Sequence, residues 1–175
     1  MWYYTNCKIE EGIMEEMSYV MVKPEFANNS DVINFVKDRL VSTGLTIVDE
    51  SYIRYDKERA AEHYHEHVGK SFYGELEEYI TSDKAYGMVV VGENAIAKIR
   101  ELVGPTKIND EVIANNPCVV NTIRYVVPEK LGLQRRITQN VVHASDAVES
   151  AKEEILIFNR LKKEYVKAQD GKDKQ

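Results

Sequence analysis

The chain has 175 residues, of which 43% are hydrophobic and 30% charged, with a net charge of −6. That length suits one domain with a sizeable core, and the acidic balance excludes nucleic-acid binding through a basic face. Its two cysteines, Cys7 and Cys118, form no CxxC and point to a reducing cytoplasm, and apolar runs such as 88–91 are far too short to span a bilayer.

Residues 1–16 lack the basic and apolar regions of a secretory signal and read as an extension, with Met14 and Met17 as alternative starts. Residues 18–23 (SYVMVK) predict a short buried strand stopped by Pro24, with Lys23 at its end. Ser30 or Asp31 caps a helix that turns Val32, Val36 and Leu40 to one side and ends at Gly44. A long strand over 45–55 alternates along part of its length. Asp56 opens a helical stretch ended by Gly69, and Ser71 opens another.

His63, His65 and His67 fall in the first of these, and His63, Glu66 and His67 match H-x-x-E-H. Such a short motif recurs by chance, and no later helix offers a clear third ligand. A solvated helix face with incidental histidines is the better reading, and no metal held by side chains is expected.

Residues 84–92 (KAYGMVVVG) form the clearest buried strand. A helix over 93–103 turns Ile96, Ile99, Leu102 and Val103 inward and stops at Gly104 and Pro105, with Arg100 placed well for the helix dipole. The polar stretch 107–121 has room for one helical turn. NVVHASD, 140–146, then leads into the last helix, patterned by Val148, Ala151, Ile155 and Phe158.

Asp146 with Glu149 makes a capping box, which puts His143 at the mouth of a helix N-terminus. Free N–H groups and the positive dipole end favour a bound phosphate there, and a neutral, nucleophilic imidazole. Glu154 can orient that ring only if the strand carrying His143 folds back along the helix. The helix ends near 158 or runs on to 167, and the last five residues, GKDKQ, are expected to be disordered.

This order predicts an α+β, ferredoxin-like βαββαβ sandwich with an antiparallel four-stranded sheet and additional helices. The expected division is an extension at 1–17, a domain at 18–160 and a basic tail at 161–175. There is no G-x-x-x-x-G-K-(S/T) and no Ser or Cys nucleophile motif. Any phosphate must therefore be held by scattered side chains.

The stretch NVVHASDAVESAKEEI resembles the phosphohistidine pattern of nucleoside diphosphate kinases, N-(V/I)-(V/I)-H-G-S-D-(S/A)-V-E-S-A-x-x-E-I. The likeness runs through most of 18–158. It implies that His143 is the nucleophile, that Glu154 holds its other ring nitrogen, and that Ser145 bonds that carboxylate or the phosphate. Lys23, in Lys23-Pro24-Glu25, would contact the transferring phosphate, and Tyr64, in E-H-Y, would sit near the histidine. Arg100 and Thr106 match R-x-x-(L/V)-G-x-T, and Arg124 matches T-I-R; all three would meet phosphates, with Asn140 a neutral donor. Phe72 would stack on the base, with Ile137 closing its other side.

The resemblance further implies nucleoside tri- and diphosphates as substrates, Mg²⁺ bound with the nucleotide, and ping-pong transfer. It also implies a cytoplasmic homo-oligomer, hexameric or tetrameric and built on a common dimer, with no membrane or specific nucleic-acid partner. The chain departs from the pattern at Phe26-Ala27, at Ala144, and in insertions at about 107–121 and 125–139, roughly seven and six residues long. Arg135 and Arg136, in the second, could reach the ligand or be solvated. Two alternatives stand beside this reading: a nucleotide-binding regulatory or interaction module that transfers phosphate poorly, supported by these departures, and a metal-binding protein using His63, His65 and His67.

Overall fold

The computed structural model describes residues 15–172, apart from 135, 136 and 138. Cys7, Met14 and most of the expected N-terminal extension lie outside the described residues, as do Arg135, Arg136 and the last three residues of the tail. Four strands, β1 (Glu15–Val22), β2 (Thr46–Arg54), β3 (Lys84–Glu93) and β4 (Val142–Ala144), form one antiparallel sheet in the order β2-β3-β1-β4. The helices are α1 (Pro24–Ala27), α2 (Ser30–Val41), α3 (Lys57–His63), α4 (Tyr73–Thr81), α5 (Ala95–Val103), α6 (Asp110–Asn115), α7 (Ile123–Leu131) and α8 (Val148–Lys172). With the expected βαββαβ core inside them, the sheet and helices form the ferredoxin-like α+β sandwich.

Alternation along β1 sorts its side chains onto two faces. Val20 and Val22 join a core with Val36 and Leu40 of α2, Ile99 and Val103 of α5, and Ile123 and Val127 of α7. Tyr19 and Met21 face the other way, into a second core with Ala60, Tyr64, Ile80, Ile155, Phe158 and Leu161. That second core is made by α8 and by the α3–α4 pair. Each large side chain fully buried here, Phe158 and Ile80 among them, contributes on the order of 2–3 kcal/mol.

β4 pairs with β1 so that His143 stands opposite Met21. Opposed residues share a face, so His143 points toward α8, while Val142 and Ala144 turn to the first core. Lys23 follows β1 and its N–H bonds the Val141 carbonyl at 3.0 Å, which sets it beside the start of β4.

Several expectations need correction. Asn29, and neither Ser30 nor Asp31, caps α2, its Oδ1 accepting from the Asp31 and Val32 N–H groups. β2 alternates along part of its length, as expected, and the break is a bulge between Ile47 and Asp49. Tyr64 leaves helical geometry, so His65–His67 form a separate 3-10 turn, and α4 starts at Tyr73 rather than Ser71.

The polar stretch 107–121, expected to hold one helical turn, holds α6 and a 3-10 turn at Pro117–Asn121, and α7 follows it. The capping box is absent: α8 starts at Val148, the Ala151 N–H bonds the Ala147 carbonyl, and the Asp146 carboxylate takes the Ser150 hydroxyl at 2.8 Å. α8 runs on to Lys172 instead of fraying at Gly171. β1 begins at Glu15 and Leu161 is buried, so ordered elements extend past both ends of 18–160.

Candidate active site

α8 carries a buried stripe of Ala151, Glu154, Ile155, Phe158 and Leu161, spaced as one helix face. Glu154 is a carboxylate on that apolar stripe. It tolerates burial because both oxygens are engaged: Oε1 lies 2.7 Å from His143 Nε2, and Oε2 accepts the Ser145 hydroxyl at 2.6 Å. Ser145 is held in turn by the Tyr19 N–H, which donates to its Oγ at 3.0 Å. The strand bearing His143 does fold back along the helix. The histidine sits within β4, however, five residues before α8 begins, so the carboxylate and not the helix mouth organises the ring.

Burial alone would raise the Glu154 carboxyl; the neighbouring His143, His63 and the Ser145 hydroxyl bring it below the ordinary value. His63 was no part of the expected set. It is buried, lies edge-on to His143 with centroids 4.8 Å apart, and its Nδ1 is 3.0 Å from Tyr55 Oη. Burial, then His143, push its pKa down to about 3, so it is neutral. A solvated face therefore describes His65, which is exposed, but not His63. Ala60, His63 and Tyr64 are spaced as an inward helix face, a signal present in the sequence. The H-x-x-E-H geometry is not formed, because the helix ends between its two histidines and His67 packs on Phe72.

Around His143 stand Tyr64, with centroids 5.9 Å away, and two buried cations. Lys23 is lowered to about 7, first by burial and then by Arg124. Arg124 is lowered to about 10, by burial and by Arg100. Its guanidinium bonds the Val142 carbonyl at 2.9 Å, the Gly104 carbonyl at 2.8 Å and Thr106 Oγ1 at 3.3 Å. A buried lysine depressed by a neighbouring buried guanidinium marks a place suited to an anion. Tyr64 Oη and Asn140 Oδ1 are buried without a hydrogen-bond partner among the described residues, and Asn140 donates to the Ile137 carbonyl at 2.7 Å.

The structure thus brings together Lys23, Tyr64, Arg124, His143, Ser145 and Glu154, with Thr106 and Asn140 at the edge. Phe72 and Ile137 are exposed, at 43% and 56%. Arg100 is close enough to bear on Arg124, and it lines a cavity of about 770 Å³ between α2, α5 and residues 116–122. Ala144 has an ordinary backbone; the one non-glycine residue with positive φ among those described is Asn94.

Fold and site together set a histidine, held by a carboxylate, beside buried cations suited to a phosphate. The family model for nucleoside diphosphate kinase matches residues 16–163. The chain is 37% identical over 147 residues to the nucleoside diphosphate kinase of Listeria monocytogenes serotype 4a, covering 82% of this chain and 88% of that one. It is 37% identical to that of Methanobrevibacter smithii, covering 83% and 87%. The Aquifex aeolicus nucleoside diphosphate kinase superposes with TM-score 0.69 at 30% identity, covering 83% of this chain and 95% of that one. The Halobacterium salinarum enzyme, solved in complex with CDP, superposes with TM-score 0.68 at 31% identity, covering 83% and 88%. The chain belongs to the nucleoside diphosphate kinase family.

Proposed function

We propose the following division of roles in the family reaction, in which a nucleoside triphosphate gives its γ-phosphate to a nucleoside diphosphate through a phosphohistidine. The observation that carries it is the 2.7 Å contact between His143 Nε2 and Glu154. A neutral imidazole that donates Nε2–H to a carboxylate keeps its lone pair on Nδ1. Nδ1 attacks the γ-phosphorus, an N–P bond forms, and the bond to the β–γ bridging oxygen breaks. Glu154 meets the positive charge that grows on the ring, and Ser145 keeps Glu154 in place.

Lys23 and Arg124 stabilise the transferring phosphate, with Arg100 and Thr106 on the same phosphates. Tyr64 Oη donates to the phosphate nearest His143. The unpartnered acceptor on Asn140 suits a sugar hydroxyl better than the phosphate expected of it. Phe72 and Ile137 enclose the base. The diphosphate leaves, a second diphosphate takes its place, and the steps reverse.

Mg²⁺ comes with the nucleotide and offsets phosphate charge. The hard oxygens of the nucleotide's own phosphates would hold it. A reducing cytoplasm is the proposed setting. The free, exposed Cys118 supports it, and among the described residues no helix is long and apolar enough to cross a membrane. A homo-oligomer built on a dimer is proposed as the working form, with the kinase unit followed by a basic tail.

Initial-rate kinetics test the double displacement. Varying triphosphate at several fixed diphosphate concentrations should give parallel double-reciprocal lines. Intersecting lines would mean a ternary complex and no phosphohistidine intermediate.

A further inference from the structure

Glu154 has a neighbour that phosphotransfer does not use. His63 Nε2 lies 3.8 Å from Glu154 Oε1, its side chain is wholly shielded, and this nitrogen has no hydrogen-bond partner among the described residues. One ligand atom from each of His63, His143 and Glu154 lies within 4.8 Å of the other two. Two imidazoles and a carboxylate oxygen are a donor set that Zn²⁺ takes in three-ligand sites, the fourth position going to water.

Bonds of about 2.0–2.1 Å put neighbouring donors of a tetrahedral centre roughly 3.3 Å apart. The His143–Glu154 pair, at 2.7 Å, must open, and the His63–Glu154 pair, at 3.8 Å, must close, each by about half an ångström. Ser145 keeps Oε2, so Oε1 is the oxygen offered to the ion. Mg²⁺ does not suit these donors, since it prefers six oxygens in an octahedron.

We propose that His63, His143 and Glu154 form an inhibitory site for Zn²⁺ or a similar transition-metal ion; the inhibitory role rests on His143 being the nucleophile. This departs from the expectation that side chains hold no metal. An ion on His143 Nε2 takes the place of the proton there. In the neutral ring that proton moves to Nδ1, and the lone pair needed for attack on phosphorus is replaced by N–H. Nothing is oxidised or reduced; the ion selects the unreactive tautomer. His63 takes the form with Nδ1–H donated to Tyr55 Oη and a bare Nε2 on the ion. Lys23, close enough to His63 to act on it, opposes the site by its charge.

The test is calorimetric titration of the metal-free full chain with Zn²⁺ in the presence of Mg²⁺, alongside nitrogen-15 spectra of the imidazole side chains. Expected are one Zn²⁺ per chain, joint displacement of the His63 and His143 Nε2 resonances, and loss of kinase activity that a chelator reverses. His63→Asn and Glu154→Gln should each weaken binding by about tenfold or more, while His65→Ala, His67→Ala and Cys118→Ser leave it unchanged. The wild-type spectra decide the matter even if the buried variants fail to fold. Zn²⁺ that leaves the His63 resonance in place, or binding that follows His65, His67 or Cys118, would overturn the site. Binding and spectra involve no turnover, so a failure of the kinase reading is distinguishable: the metal site would stand and its inhibitory role would fall.

Discussion

The chemistry turns on whether one carboxylate sees one ring nitrogen. Glu154→Gln keeps a hydrogen-bond acceptor but removes the charge that answers the developing imidazolium. Its kcat should fall about 10²-fold with the nucleotide KM little changed, because Glu154 touches no substrate. Steady-state kinetics would show otherwise if KM moved and kcat did not.

Lys23 supplies a pH prediction. Its amine, ordinarily near 10.5, titrates at about 7 in the folded chain because of burial and Arg124. The unfolded chain binds the proton more tightly, so the burial penalty is full below about pH 7 and fades as pH rises toward 10.5. A bound phosphate restores the proton. Nucleotide binding at about pH 8 should therefore take up a proton, and affinity should fall as pH climbs above about 7. Calorimetry in buffers of different ionisation enthalpy measures that uptake, and Lys23→Met should abolish it.

Between elements, the site depends on how α5, α7 and β4 are clipped by Arg124. Gly104 ends α5 at φ +83, and a Cβ there would lie 2.4 Å from Thr122 Oγ1 and 2.6 Å from Thr122 Cβ. Gly104→Ala should cost about 2–4 kcal/mol in thermal denaturation. It should also raise the nucleotide KM, since the Gly104 carbonyl holds Arg124.

α8 is anchored by Phe158, whose ring closes over Gly87. Phe158→Ala should destabilise by about 3–5 kcal/mol. The four strands, α2 and α5 were legible from periodicity and from Pro and Gly stops. α7 was not: Ile123 and Val127 carry its inward spacing, but Pro128 argues against a helix, and the chain tolerates it within two and a half turns. His143 and the cations Lys23 and Arg124, which the structure brings together, were named through the family pattern. His63 was missed because three histidines in a charged run read as surface, although its spacing from Ala60 marked it as inward. The pairing of His143 with Glu154 needed the fold, since it depends on which face of β4 the ring takes.

At the scale of the whole molecule, α6, α7 and the cavity lie outside the four-stranded sheet that carries His143. Light scattering after size exclusion should give a mass several times that of one chain; a monomer would contradict the proposed assembly.

The central claim is that phosphate passes through His143, and the most direct measurement is a two-step label transfer. Purified chain is incubated with γ-labelled ATP and Mg²⁺, freed of nucleotide, assayed for acid-labile, base-stable label, and then given GDP. Label should sit on His143, be absent from a folded His143→Ala variant, and move to GTP. A folded chain that binds ATP yet never carries label would contradict the transfer mechanism and return the fold to a nucleotide-binding module.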